Sequence, residues 1–557
     1  MIEKLKEKGR PEMTSRITLE PVKVLWKQGK VENEEQLLEC KSRQISLLAR
    51  DPSVMETTEG QMASILLDYG YEIHGGIRLH VWGTTPCSDA HVRIRFGESV
   101  SEAMSEVGGE DNATNDHARR DLVTEVGMMS MNPIGETGFR FVRIDLLDQT
   151  ALSIKSVTAN LIYKDVPYKG SFQCSDELLN RIWMVGAYTV HLNMQEYIWD
   201  GIKRDRLVWV GDMHPETMTI QTVFGEDDAV IRSLDFIREE TPLPGWMNQM
   251  ATYSMWYVII VHDWFLYTGK MDWLQRQADY LKGVARQLSE SIDENGKDTV
   301  TQGRFMDWPS SDKSIVTDAG VQAIHYLATD RLEKIFGYLG EPEWAKMCGA
   351  DKKRLEQFQA DYQDSKPAAS LLVLAGLKDA RRTNEALLQI GGAAGMSTFM
   401  GYYILAARAM AGDWQGCLDS IREYWGGMLS LGATTFWEDF DIVWLQNAAP
   451  IDRLPKEGEV DVHRTYGSYC YQGYRHSFCH GWASGATAWL SRYVLGVQVL
   501  EPRCRKIQVS PHLGDLEWAE GTYPTPYGQV HIRVEKGADG QVKTRVLAPE
   551  QVAVVEG

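Results

Sequence analysis

The stretch "SDELLNRIWMVGAYTVHLNMQEY", Ser175–Tyr197, decides the fold. It opens on Ser175, whose short hydroxyl suits a helix N-cap, and carries apolar residues at the three- and four-residue intervals of a buried helix face. Upstream the pattern differs. "YEIHGGIRLHVWG" (71–83), "HVRIRFGES" (91–99), "GFRFVRIDLLD" (138–148) and "VTANLIYKDV" (157–166) alternate apolar and polar residues over short runs, the period of a sheet with one buried face. The segment 101–125, with Gly108, Gly109 and several acids, reads as a long loop. Downstream of Ser175, amphipathic helical patterns follow at 225–240, 250–268, 271–291, 317–339, 341–362, 398–410, 414–425 and 481–496, joined by short loops with Gly, Pro or Asp. No exact repeat runs through them, which argues against a solenoid and for paired helices closed into a ring or barrel. From 499 the strand signals return in "KIQVSPHLGDLEWAEGTYPTPYGQVHIRVE", a turn at "KGADGQ" and "VKTRVLAP". The expected organisation is multidomain α and β: an N-terminal β-sandwich over 1–168, a helical domain over 169–498 and a small C-terminal β-sandwich over 499–557.

The chain of 557 residues carries a formal net charge of -19, with 77 acidic against 58 basic residues. That balance speaks against nucleic acid or an anionic membrane as partner, since both need a basic footprint. No apolar run approaches the roughly 18 residues of a membrane helix. The opening "MIEKLKEKGRPEMTSR" has no apolar signal core, so a cytoplasmic protein is expected. The eight cysteines (40, 87, 174, 348, 417, 470, 479 and 504) include no C-x-x-C pair, and they read as reduced thiols rather than a disulfide framework. Cys470, Cys479 and His480 fit no standard zinc spacing.

Directly after the helix comes "EYIWDGIKRDRLVWVGDMHPE", Glu196–Glu216, where Trp199 and Trp209 stand among Asp200, Asp205 and Asp212. A salt-bridged surface run would omit the tryptophans, and a core would omit the charges. Aromatic platforms beside carboxylates suit a sugar, whose pyranose faces are apolar and whose rim is hydroxylated. Gly201 and Gly211 mark irregular backbone, which could turn all three aspartates into one pocket. A second stretch, "GATTFWEDFD" (432–441), holds Trp437, Glu438, Asp439 and Asp441; taken alone it reads slightly better as an acidic helix N-terminus. His480 precedes a helix of small residues, and Asp307 and Trp308 lie between helices in "GRFMDWPSSD". Two carboxylate clusters over 200 residues apart in a helical ring suggest a glycosidase, which flanks the scissile bond with an acid and a base or nucleophile.

"WDGIKRDRLVWVGD" resembles the first signature of the bacterial α-L-rhamnosidases, glycoside hydrolase family 78. "GATTFWEDFD" resembles the second, and His480 before its Gly- and Ala-rich helix a third. "LGDLEWAEGTYPTPYGQVHI" is similar to a segment of that family's C-terminal β-domain. The resemblance runs over roughly 60–545 and implies a central (α/α)6 barrel between β-sandwich domains, hydrolysing terminal α-L-rhamnose with inversion. It implies Asp205 as general acid and Glu438 as general base. Asp200, Arg204, Trp209, Asp212 and His480 match sugar-contacting positions, with Trp437 beside the base and Trp308 as a pocket wall. Two features depart from the pattern: aspartate stands where the acid is usually glutamate, and 446–475 lengthens the path from Glu438 to His480. Near neutrality Asp205 would need a raised pKa, from burial by Trp199 and Trp209 or from the charges of Asp200 and Asp212; Arg204 and Arg206 would oppose this if they pointed at it. No metal or cofactor is implied, the partner is a carbohydrate, and a homodimer is left open. Two other readings stay open: the same fold acting on another sugar, and a carbohydrate-binding protein that has lost catalysis.

Overall fold

The alternating segments before residue 165 form one antiparallel sheet of nine strands. Along its path lie Lys30–Glu32, Ser53–Glu56, Ala151–Tyr163, Ala63–Thr85, Ser130–Leu146, Ala90–Gly97 and Asp121–Val126. Ser15–Leu19 is added on Ala151–Tyr163 and Lys23–Gln28 on Ala63–Thr85. The computed structural model describes residues 12–39, 44–48, 50–86, 88–108, 111–537 and 541–557. The strand Ala63–Thr85 is 23 residues long, and its register with Ser130–Leu146 breaks between Asp68 and Ile73 and again between Gly75 and Ile77. Such bulges bend a strand and change which face its side chains cover. At the second break the backbones nearly touch, since a Cβ on Gly76 would stand 2.0 Å from the Gly135 carbonyl oxygen. The core of this sheet, with Ile65, Leu67, Phe139 and Ile144, also takes in Ile202 and Cys479. Both are neighbours of the chemistry-bearing stretches, so the sheet is the backing of the site.

The segment 101–125 is not a loop throughout. A short helix, Val100–Met104, begins where Ser99 accepts the Glu102 N–H, and a strand starts at Asp121. Gly109 lies outside the described residues, as do Cys40, Cys87 and part of the expected turn at 536–541. The six described cysteines are all free thiols.

The long helical region contains Glu177–Asn193, Met213–Val223, Asp228–Glu239, Ala251–Thr268, Met271–Glu290, Ser314–Leu339, Pro342–Leu355, Lys366–Leu374, Gly401–Met410, Trp414–Ser430 and Gly485–Trp489. The first of these is capped by Asp176, whose carboxylate accepts from Leu178 N at 2.8 Å and Leu179 N at 3.4 Å. Ser175 is instead turned outward, its hydroxyl accepting the Glu517 N–H at 2.9 Å. Two helices escape the periodicity, Met213–Val223 and Lys366–Leu374. Nearly every residue of both is buried, and a helix covered on all sides has no apolar stripe to betray it. Among the described residues no helix is long and apolar enough to cross a membrane.

The C-terminal region is rich in sheet. Ser171–Cys174, Trp518–Thr525, Gly528–Lys536 and Val542–Leu547 make one sheet; Val497–Val499, Lys506–Val509 and Ala553–Glu556 make another. Ser171–Cys174 pairs antiparallel with Trp518–Thr525, from Ser171 opposite Thr522 to Cys174 opposite Ala519. The strand just before the first helix is thereby fixed to the far end of the chain.

Candidate active site

Three stretches converge behind the N-terminal sheet. Gly201 pairs with His480 as an isolated β-bridge, and Gly481 N donates to the Asp200 carbonyl at 2.8 Å. Glu438 N donates to Ser477 O at 2.9 Å, and His480 N to Phe436 O at 3.0 Å. Backbone bonds therefore bring the second and third stretches onto the first. Between Asn193 and Met213 the chain is irregular, as its glycines suggested. Asp205 and Arg206 sit in the left-handed region with φ of 55° and 54°, a conformation non-glycine residues adopt seldom and hold at functional sites. Gly211 admits an aromatic neighbour, because a Cβ there would lie 2.3 Å from the Tyr253 ring.

Glu438 is buried and held by one arginine. Arg204 Nη2 donates to both of its oxygens, at 2.5 and 2.7 Å, and Ser477 N to Oε2 at 3.2 Å. Burial alone would push this carboxyl up, but the Arg204 charge, helped by His480, overcomes it and holds the carboxyl below its ordinary value. Glu438 is thus an ionised carboxylate at neutral pH. The other terminal nitrogen of the same guanidinium, Arg204 Nη1, lies 3.1 Å from Asp205 Oδ2. One side chain bridges the two acids that the sequence left 233 residues apart.

Beside them lies a second chain of polar contacts. His480 Nε2 meets Asp212 Oδ2 at 3.0 Å, with His480 Nδ1 3.9 Å from Glu438 Oε1, and the Tyr253 hydroxyl donates to Asp212 Oδ1 at 2.8 Å. Glu438 and Asp212 raise the His480 pKa against the opposing effect of burial. Asp200 is buried, with Leu207 N on Oδ1 at 2.9 Å. Burial pushes its carboxyl well above the usual range, with Asp205 and Asp212 adding to the shift and His480 opposing it. Burial also raises the Asp212 carboxyl, against its hydrogen bond with His480.

The surroundings of Asp205 differ from the expected apolar ones. Arg204 does point at it, and His117 Nδ1 stands 3.2 Å from Oδ1. Trp199 has its ring under the Arg206 guanidinium and edge-on to His74. Trp209 packs edge-on to Tyr253, ring centroids 6.0 Å apart, and is half-buried. Trp308 is half-buried and stacks on Tyr469 of the 446–475 insertion at 6.2 Å. Trp437 has 0% exposure and stacks on Phe478 at 4.2 Å. The ring packs in the core beside Glu438.

Tyr253 and His117 were not legible as site residues. Tyr253 lies in a helix, Ala251–Thr268, whose apolar residues run around every side, and His117 in a stretch read as loop. Lys203 also gains a role. Glu98, Glu102 and His463 present their ligand atoms within 4.8 Å of one another, a grouping that could hold a cation. The Lys203 ammonium already fills that place, 2.9 Å from Glu102, 3.4 Å from Glu98 and 3.3 Å from His463 Nε2. The ammonium ties the short helix Val100–Met104, between two strands of the sheet, to the backbone just before Arg204.

Asp439 supplies a prediction. Burial, then the charge of Glu438, pushes its carboxyl up to about 7. Its backbone N–H donates to His476 Nε2 at 2.9 Å, and burial pushes that imidazole down to about 3. An unfolded aspartate titrates near 3.9, so raising the pH from there to about 7 favours the unfolded chain, where the carboxyl ionises freely. Asp439→Asn removes that penalty. The Tm difference between variant and parent is expected to be larger at pH 8 than at pH 4, as read by circular dichroism; an equal difference at both pH values would show an ordinary carboxyl.

The helical body carrying these residues has the fold of the six-hairpin glycosidases. Residues 167–389 match the family model for the bacterial alpha-L-rhamnosidase 6 hairpin glycosidase domain, and residues 496–555 that for the bacterial alpha-L-rhamnosidase C-terminal domain. The chain belongs to the bacterial α-L-rhamnosidase family. Glu438 and His480 fall between the two matched spans. The rhamnosidase of family 78 from Bacillus sp. GL1 is similar in structure with a TM-score of 0.75 at 21% identity, over 94% of this chain and 55% of that one. The α-L-rhamnosidase from Dictyoglumus thermophilum gives 0.72 at 19%, over 96% and 57%. A rhamnosidase from Klebsiella oxytoca, solved with rhamnose bound, gives 0.67 at 20%, over 86% and 96%. The chain thus spans little more than half the length of the first two. A search of curated proteins by sequence finds no match.

Proposed function

We propose that this chain is an inverting exo-glycosidase that hydrolyses terminal, non-reducing α-L-rhamnose from rhamnosides, using Asp205 and Glu438. The observation that carries this reading is the Arg204 bridge, which sets two carboxyls of different character around one guanidinium. The ion-pair contact of 3.1 Å to Asp205 and the hydrogen bond of 2.5 Å to Glu438 bring both carboxyls to one guanidinium, and an inverting pair holds an attacking water between its two groups. Glu438, kept ionised, takes a proton from that water as its oxygen bonds to the anomeric carbon. The glycosidic bond breaks on the opposite face, and its electron pair leaves with the aglycone oxygen, which Asp205 protonates. The first sugar product is the β-anomer. Asp200, Arg204, Trp209, Asp212 and His480 would hold the rhamnose, and the reaction needs neither metal nor cofactor.

One observation favours a second assignment of the proton donor. Burial pushes the Asp200 carboxyl well above its usual range, whereas the Arg204 guanidinium stands 3.1 Å from Asp205, so Asp200 is the alternative acid. The broader architecture we propose is the (α/α)6 barrel over 169–498, with β-sandwiches over 1–168 and 499–557. Aromatic contacts lead from Tyr253 through Phe305 and Trp308 to exposed Tyr469, and in this reading they wall the aglycone side.

The test is release of p-nitrophenol from a panel of glycosides: cleavage of the α-L-rhamnoside above all others supports the reading, and preference for another sugar moves it to that sugar. Within the same assay Trp209→Ala should lower kcat/KM about two- to tenfold, the equivalent of the roughly 0.5–1.5 kcal/mol an aromatic contact adds. A variant that melts early while each folded molecule keeps full activity would make Trp209 a packing residue only.

A further inference from the structure

Away from the acids, a cleft opens among the helices Met213–Val223, Ala251–Thr268, Ser314–Leu339 and Gly401–Met410. It consists of two adjoining cavities of about 260 and 380 Å³ that share Met218, Asp263, Arg331, Tyr402, Arg492 and Gln498. Neither Asp205 nor Glu438 lines it. Aromatic rings of Trp256, Tyr403 and Tyr493 wall one side, and a cavity of this size with few convergent polar groups is the form small-molecule sites take.

The charges in the cleft are matched except one. Asp263 receives His262 Nδ1 at 2.6 Å and His214 Nε2 at 3.3 Å, with Arg331 Nε at 3.5 Å. These partners hold its carboxyl well below the usual range although burial opposes them. Arg331 Nη1 and Lys334 Nζ both bond Asp330, at 2.6 and 2.7 Å. Arg492 touches no carboxylate among the described residues, and only the more distant charge of Asp263 acts on it. Its Nη1 donates to the Tyr402 hydroxyl at 3.2 Å and its guanidinium lies over the Tyr493 ring at 5.6 Å. No salt bridge joins it to a carboxylate among the described residues. The residue is exposed and its side chain lines both cavities. What sets this guanidinium apart is its place, at the junction of the two aromatic-walled cavities.

We propose that this cleft binds a small ring-bearing monocarboxylate, with the carboxylate on Arg492 and the ring against the aromatic wall. The guanidinium fork fits a carboxylate with two parallel N–H···O bonds. One unmatched positive charge calls for one negative charge, and a dianion would add an uncompensated charge beside Asp263. The ring can come from a sugar acid or an aromatic acid.

Isothermal titration of the full chain with D-glucuronate and with benzoate separates the two sources, and D-glucose and benzyl alcohol serve as neutral counterparts. Expected is one-to-one binding of at least one acid, none by its neutral counterpart, and an affinity at least tenfold weaker in Arg492→Gln. Glucuronate alone identifies a sugar acid, benzoate alone an aromatic one. Rhamnoside hydrolysis should be unchanged in that variant, and Arg492→Lys should retain part of the affinity. The proposal is overturned if neither acid binds at about 10 mM, beyond the millimolar range of weak specific ligands, or if Arg492→Gln binds as tightly as the parent. Should Arg492→Gln fail to fold, the acid-against-neutral comparison on the parent decides: equal binding of both overturns the site.

Discussion

Glu438→Gln is expected to lower kcat by about 10²–10⁴-fold, the range general acid–base groups contribute, and to do so alike for a natural rhamnoside and an activated aryl rhamnoside. Both substrates need the water to be deprotonated, whatever the leaving group. Asp205→Asn is expected to behave differently. A natural aglycone leaves as a poor alkoxide and needs the proton, so its hydrolysis should disappear; p-nitrophenolate departs with less help, so its hydrolysis should persist in larger part. The contrast between the two variants, rather than either loss, identifies base and acid. If Asp205→Asn costs both substrates equally and mildly, the donor is another group, and Asp200→Asn should then show the leaving-group dependence. Single-turnover and steady-state rates on the two substrates read out all three variants.

Arg204→Met is expected to have the other large effect, on stability and on pH dependence together. The Arg204–Glu438 pair is buried, with side-chain exposures of 7% and 3%. Removing one partner of such a pair leaves an uncompensated charge and costs about 3–5 kcal/mol. Glu438 is depressed in the folded protein, so its contribution to stability is present above the ordinary glutamate value near 4.3 and is lost as the pH falls through the lowered one. Without Arg204 the largest effect opposing burial is gone, only His480, His476 and the Ser477 N–H remain against it, and the carboxyl moves up. The acid limb of the pH–rate profile should therefore shift to higher pH in the folded fraction, and thermal melts should show the destabilisation near pH 7. An unmoved acid limb would mean that Arg204 is not what keeps the base ionised.

The sequence announced the succession of sheet, helices and sheet because each region has one buried face and hence one period. It failed at two short helices, Met213–Val223 and Lys366–Leu374, which are buried almost throughout and carry no stripe, whereas the equally buried Ala251–Thr268 is long enough for its apolar run to be read as a helix. The site was legible where charge and tryptophan stand together, as at Asp200–Asp212 and Glu438, since neither a core nor a solvated face explains that mixture. Partners were not legible, because a bond such as Arg204 to Glu438 or His117 to Asp205 depends on how distant segments fold together. The packing of Trp437 was not legible either, its ring lying in the core against Phe478. Likewise a capping serine at 175 was outcompeted by Asp176, one residue closer to the free N–H groups of the first turn.

The central claim, hydrolysis of a terminal α-L-rhamnoside by a water that Glu438 activates, is tested most directly by following p-nitrophenyl α-L-rhamnopyranoside with the chain by proton NMR from the first minutes. The account predicts that β-L-rhamnose accumulates first and mutarotates to the equilibrium mixture afterwards, with Glu438→Gln giving no early signal. Release of the α-anomer first, or no release of rhamnose by the folded protein, would contradict it.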